Sequence, residues 1–256
     1  MAEWHKRFSL EGRTAFVTGA SRGIGAEICR VYADAGADIV AVARDAEALE
    51  TVAEEVRAKG KKCLTLTADL ASTDGPGAAA KAALEQVDAI DILVNSAGIA
   101  LVNPALELSL EQWDRTMAVN LRAPFLLSQA LAPKMIAQRW GKIINISSQT
   151  GVIALKDHAA YATSKGALNA LTKSLMAEWA EHNIQVNAIC PTVVLTPMGR
   201  ELWSPPEKSE PFLEKTPLGR FGEPVEIADL ALYLASPAAE LVNGSVIMIE
   251  GGFSSV

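Results

Sequence analysis

Cysteine is scarce in this chain of 256 residues. Cys29, Cys63 and Cys190 are its only three, an odd number at wide spacing with no C-x-x-C pair. That usage argues against a disulfide framework or a zinc site and fits a reducing compartment, the cytoplasm. The three histidines, His5, His158 and His182, show no metal-ligand spacing, so no metal is expected. Cationic runs are missing too. The net charge is −7 and no Lys/Arg stripe occurs, which argues against nucleic acid as a partner. No window approaches the ~18 uninterrupted apolar residues of a membrane span. The opening MAEWHKRFSLEGRTAF lacks the apolar stretch of a secretory signal. Aromatic residues are only 5% of the chain. Ala, Val, Leu and Ile must then fill the interior, as suits parallel strands covered by helices on both faces.

What the chain does have is strict alternation. Apolar runs of strand length stand at Thr14–Thr18, Asp38–Ala43, within CLTLTADL, at Asp91–Asn95, Lys142–Ser147 and Ile184–Ile189, and in SVIMIE. Helical patterns separate them. One follows the first run and ends at Gly36, and a second ends at Gly60. A third runs through Val87, and a fourth opens at Ser109 with Gln112 placed to complete a capping box. Pro124 is expected to kink or restart the fourth. The next helix, AAYATSKGALNALTKSLMAEWA, ends near His182. EPVEIADLALYLAS supplies the last. Seven strands alternating with helices imply an α/β, doubly wound, parallel sheet with helices on both faces. No linker or repeat divides the chain, so 1–256 is expected to be one domain. A Pro-rich stretch interrupts the alternation after Ile189. It is too long for a simple connection, and a substrate lid is expected at about 196–218.

The first strand runs into TGASRGIG, Thr18 to Gly25. Gly19, Gly23 and Gly25 fit T-G-x-x-x-G-x-G, with Ser21, Arg22 and Ile24 between them. Glycines there let the backbone turn and approach a pyrophosphate, and the helix N-terminus offers unpaired N–H groups to it. At the tip of the second strand an acidic residue would bond a ribose 2′-OH, whereas a cation accommodates a 2′-phosphate. Ala43 and Arg44 stand there, with Arg22 nearby in the glycine loop. NADP(H) is therefore favoured and NAD(H) remains possible. Arg44 as a solvated surface charge is the alternative. Asp45 reads as the cap of the following helix.

Tyr161 and Lys165, in YATSK, lie four residues apart and so on one helix face. A Lys ammonium held there favours phenolate over phenol and lowers a pKa that starts near ~10. Taken in order, TGASRGIG, Asp69 in TADL, NSAG (Asn95–Gly98), Asn120 in MAVNLRAP, Ser148 in INISSQ and YATSK resemble the short-chain dehydrogenase/reductase family. The resemblance runs from about Ser9 to Phe253. Ser148 stands thirteen residues before Tyr161, the spacing that family uses. NSAG has Ser96 where many members have a second Asn, and the usual Pro-Gly after the sixth strand is Pro191-Thr192. PTVVLTPMG, Trp203, TPLGRFGE and the closing EGGF are similar to the part of the family that holds L-xylulose (dicarbonyl) reductases and bacterial polyol dehydrogenases.

The resemblance implies a Rossmann fold, a homotetramer and hydride transfer between a nicotinamide and a ketone or alcohol. Tyr161 is implied as acid/base, Lys165 as its partner on the nicotinamide ribose, Ser148 as donor to the reacting oxygen and Asn120 as holder of a water. Asp69 and Leu70 would flank adenine. Asn95, Ala97 and Gly98 would meet the adjoining ribose, with Asn95 as a mere turn residue the alternative. Pro191, Val194, Thr196 and Met198 would meet the nicotinamide end. Gln149, Leu155, His158 and Trp203 would line the substrate pocket, where the first and third can bond hydroxyls. His158 could instead sit on the surface, and Trp203 could only pack the lid. A small ketose or dicarbonyl is the expected substrate. A 3-oxoacyl-carrier-protein reductase shares the catalytic set, but ELWSPPEKSEPFLEK carries more carboxylates than cations and suits an acidic carrier poorly. A non-catalytic cofactor sensor is the third possibility.

Overall fold

The computed structural model describes residues 3–256. Its sheet consists of Thr14–Thr18 (β1), Asp38–Ala43 (β2), Cys63–Thr67 (β3), Ile92–Asn95 (β4), Gly141–Ile146 (β5), Ile184–Pro191 (β6) and Val246–Ile249 (β7). All pairings are parallel, in the order β3-β2-β1-β4-β5-β6-β7. β1, β2, β4, β5 and β6 are buried almost throughout, which is why they read as unbroken apolar runs. Their side chains alternate between two cores. Val17, Ala41, Val94, Ile144 and Ile189 face one side, whereas Phe16, Val40, Leu93, Ile143 and Val186 face the other.

The first core is closed by Gly23–Asp34 (α1), Ala46–Ala58 (α2) and Pro224–Ala235 (α9). Tyr32 of α1, fully buried, donates its hydroxyl to the Ala231 carbonyl of α9 at 2.9 Å and ties these two helices together. The second core lies under Gly75–Leu84 (α3), Ala123–Gln138 (α5) and Ala159–Trp179 (α6). α2 begins where expected, with the Asp45 carboxylate accepting from Ala48 N–H at 3.1 Å. Leu110–Met117 (α4) opens on the Ser109–Gln112 capping box.

The helix widens at Ala118–Arg122 into a π turn and restarts as α5 with Pro124 in its first turn, as expected. One stretch differs from expectation. The Pro-rich stretch is largely helical, as Pro197–Trp203 (α7) and Pro206–Glu214 (α8). Pro197 and Pro206 start these helices instead of breaking them, because the N–H that each lacks has no partner within the helix at that position. Among the described residues no helix is long and apolar enough to cross a membrane, and the three cysteines are buried free thiols.

Candidate active site

β1 is flanked by β2 on one side and β4 on the other, so the connections leaving these strands part to opposite faces. A crevice opens at the C-terminal strand ends there, as this topology requires. Two loops close its floor. Gly19 has φ +66°, and a Cβ on it would stand 2.9 Å from Ala97 Cα. One on Gly25 would stand 2.4 Å from Gly19 O. The Thr18 hydroxyl accepts from the Ser96 and Ala97 N–H groups, both at 3.0 Å, and donates to Val94 O at 3.3 Å. The glycine loop and the NSAG loop are therefore stitched edge to edge. Arg22 precedes α1 and its side chain caps none of the first N–H groups. The helix N-terminus thus keeps its positive end free for an anion. This glycine-lined cradle, which any side chain would fill, fits the pyrophosphate of a dinucleotide.

A cavity of about 820 Å³ crosses the strand ends. Toward β2 and β3 its wall is made by Gly19, Ser21, Arg22, Gly23, Ile24 and Gly25, with Arg44, Asp69 and Leu70. Both arginine side chains are exposed at the mouth, and Leu70 is buried. Ala97 and Gly98 lie midway. Toward β5 and β6 the wall passes to Ser148, Tyr161 and Lys165, then Pro191, Val194, Thr196 and Met198. Gln149, Leu155, His158 and Trp203 line the same cavity. Thr196 has a second duty. Its hydroxyl accepts from Gly199 N–H at 3.1 Å and caps α7, while its methyl faces Gly23.

Two of the expected residues lie off the wall. Asn95, 2% exposed, turns into the sheet and donates to Asn145 Oδ1 at 2.8 Å. Asn145 in turn donates to Thr172 Oγ1 at 2.9 Å, so this pair ties β4 and β5 to α6. Strand alternation thus sends the Asn95 side chain inward, away from the cavity wall. Asn120, fully buried in the π turn, accepts from Ile99 N–H and donates to Ile99 O, both at 2.9 Å, and donates to Ser164 Oγ at 3.0 Å. It anchors the loop after β4 to α6. Its Oδ1 and Lys165 Nζ both stand 3.5 Å from the point that a Cβ on Gly98 would occupy.

Helix geometry brings Tyr161 and Lys165 together as expected. Lys165 Nζ lies 5.6 Å from the Tyr161 ring centre and donates to Ile146 O at 2.8 Å. The electrostatics differ from expectation. Burial pushes the Tyr161 phenol up, and a hydrogen bond from Ser148 only opposes that shift. Burial also depresses the Lys165 ammonium, to about 8. Desolvation disfavours either charged form, so it moves the two groups in opposite directions. Ser148 is held by Thr150, whose N–H and hydroxyl reach its Oγ at 3.2 and 3.0 Å. His158, half-buried, stands just before α6 on the cavity wall with its ring 6.2 Å from that of Tyr161. Cys190 is fully buried beside this group, and burial raises its thiol.

Several wall residues carry no sequence signal of their own. Ile99 and Leu101 follow NSAG, Arg115 and Val119 come from the α4–π segment, and Leu202 from α7. Position relative to a recognised residue would have found Val119, next to Asn120. Asn145 had a signal, since it interrupts the apolar run KIINI.

Fold, glycine cradle and the Ser–Tyr–Lys group together define an α/β oxidoreductase of the alcohol–ketone couple. A family profile described as enoyl-(acyl carrier protein) reductase matches residues 19–254. The chain is 41% identical to L-xylulose reductase of Bos taurus, over 95% of this chain and 97% of that one. It is 39% identical to an NAD-dependent glycerol dehydrogenase of Listeria innocua, over 97% and 96%. A gluconate 5-dehydrogenase from Burkholderia cenocepacia J2315, solved with NADP and tartrate, superposes with a TM-score of 0.95 at 38% identity, covering 99% of this chain and all of that one. The chain belongs to the short-chain dehydrogenase/reductase family.

Proposed function

We propose that this protein is an NADP(H)-preferring reductase that interconverts a small ketose or dicarbonyl with its alcohol or polyol. The observation that carries the proposal is the single cavity joining Arg44 and the glycine cradle at one end to Ser148, Tyr161 and Lys165 at the other. Polar Gln149 and His158 beside the catalytic pair suit a hydroxylated substrate, because they would be left unpaired by an apolar one. Sugar- and polyol-acting relatives support the same substrate class.

When bound, the cofactor supplies the hydride at the nicotinamide C4. Tyr161 donates its phenolic proton to the carbonyl oxygen as the alcohol forms, and takes it back in oxidation. Ser148 hydrogen-bonds that oxygen and steadies the developing alkoxide. Lys165 would hold the nicotinamide ribose and return a proton to Tyr161. Asn120 Oδ1 and Lys165 Nζ converge beside Gly98, and a water held there would carry the proton outward. Arg44, with Ser21 and Arg22, would hold the 2′-phosphate. Ala97, Gly98 and the 191–198 stretch would hold the nicotinamide half. We take the chain as one catalytic domain, with α7 and α8 as the substrate lid, working as a homotetramer through α5 and α6.

Initial rates test this. NADPH and NADH are compared against L-xylulose, D-fructose, erythrulose, diacetyl and acetoacetyl thioester. Turnover of a ketose or diacetyl, faster with NADPH, is expected. Equal or better rates with NADH would remove Arg44 as phosphate reader. Turnover of the thioester alone would make the protein a 3-oxoacyl reductase.

A further inference from the structure

α7, which lines the cavity, and α8, which follows it, have few roots in the core. α7 buries no residue, and α8 buries only Phe212. Trp203, the last residue of α7, lines the cavity with its ring 4.6 Å from that of Phe212 and 6.3 Å from that of Phe221. Behind it, Phe212 stacks on Phe253 with 4.7 Å between centroids and 20° between planes. In a chain with 5% aromatic residues, four rings meeting at one place form a built contact. Its base is the last turn of the chain. Gly251 and Gly252 have φ of +69° and +91°, a region that glycine enters freely. A Cβ on either would stand 3.0 Å from Thr216 or Pro217, so the turn packs closely beneath the end of the lid. Leu218 N–H donates to Gly251 O at 3.1 Å, and Ser254 N–H to the buried Glu250 carboxylate at 2.7 Å. Phe253 is thereby held in place from both sides.

We propose that Phe253 positions Trp203 through Phe212, so that the final turn of the chain sets the affinity of the site for its carbonyl substrate. The proposal rests on Trp203 being a wall of the substrate pocket. Phe253 is itself outside the cavity wall. It acts as a positioning residue, as a seat for a ring that would otherwise be free to swing with α7. Offset-stacked rings at this spacing resist that swing, and an apolar partner of other shape would not replace them fully.

The test is steady-state kinetics of the full chain with Phe253→Ala, Phe253→Tyr and Trp203→Ala, using erythrulose or L-xylulose and NADPH. Phe253→Ala should raise KM for the ketose about tenfold while kcat and the KM for NADPH stay within about twofold. Phe253→Tyr should restore the parent KM. Tryptophan emission should shift in Phe253→Ala, and that shift should vanish when Trp203 is replaced by Phe in both proteins. An unchanged ketose KM with unchanged emission overturns the coupling. A shifted emission with unchanged KM in both Phe253→Ala and Trp203→Ala overturns the substrate wall and leaves the coupling intact. Equal rises in both KM values would mean general loosening and would also overturn the proposal.

Discussion

Two residues at the centre of the site, Tyr161 and Lys165, have their pKa values displaced in opposite directions by one cause. Burial disfavours charge, so the phenol is raised and the ammonium is lowered to about 8. The spacing in YATSK had suggested a phenol lowered by its lysine. Burial of the phenol sets the opposite direction, and the hydrogen bond from Ser148 only opposes it. At neutral pH the acid form of Tyr161 then dominates. Reduction needs that form, so its kcat/KM should hold through neutrality and fall only as the pH rises through the phenol's pKa. Oxidation needs the phenolate, so its kcat/KM should climb about tenfold per pH unit below the same pKa. An oxidised nicotinamide bound beside Tyr161 would lower this pKa and so move the break in both profiles to lower pH. Profiles from pH 6 to 10 in both directions check this, and a flat oxidation limb would refute it. Tyr161→Phe should cost about 10²–10⁴-fold in both directions. Near-parent rates would remove Tyr161 as the acid.

At the scale of elements, strands and long helices were legible because their burial is periodic. Each central strand reads as a plain apolar run since both faces are covered. Asp45 and the Ser109–Gln112 pair announced helix starts through capping chemistry that needs only local geometry. The lid helices were not legible. Pro197 and Pro206 look like breakers until the turn around them places each in a first helical turn. The π turn holding Asn120 has no composition of its own, and appears only once the loop after β4 and Ser164 are brought to either side of it. The glycine loop was read correctly as an element, and it makes a sharp prediction. Gly19→Ala puts a Cβ 2.9 Å from Ala97 Cα at a positive φ. Strain of about 1–3 kcal/mol is expected there. It should appear as a lower unfolding midpoint and a weaker NADPH fluorescence titration. An alanine protein that binds NADPH as tightly as the parent would show that the two loops are not locked as described.

Over the whole molecule, the site comes from elements far apart in sequence, and the limits of a sequence reading lie there. Motifs located the two ends of the cavity, after β2 and after β5, without any knowledge of their distance. Asn95 sits in a motif yet points away from the cavity, since the pairing of β4 with β5 gives it an amide partner in Asn145. Trp203 was legible as a candidate. Its seat on Phe212, Phe221 and Phe253 was not, because those rings meet only when the chain's last turn packs beneath the lid. The net charge of −7 says nothing of the cofactor end, where Arg22 and Arg44 stand at the mouth. The central claim, hydride transfer to a hydroxylated ketone at the Tyr161 end of this cavity, is tested most directly by isotope. The protein is incubated with erythrulose or L-xylulose and NADPH carrying deuterium at both C4 positions, and the polyol is weighed by mass spectrometry. One deuterium on the new carbinol carbon, appearing about 10²–10⁴-fold more slowly in Tyr161→Phe, is the predicted result. Polyol without deuterium, or no polyol from any ketose while a thioester is reduced, would contradict the account.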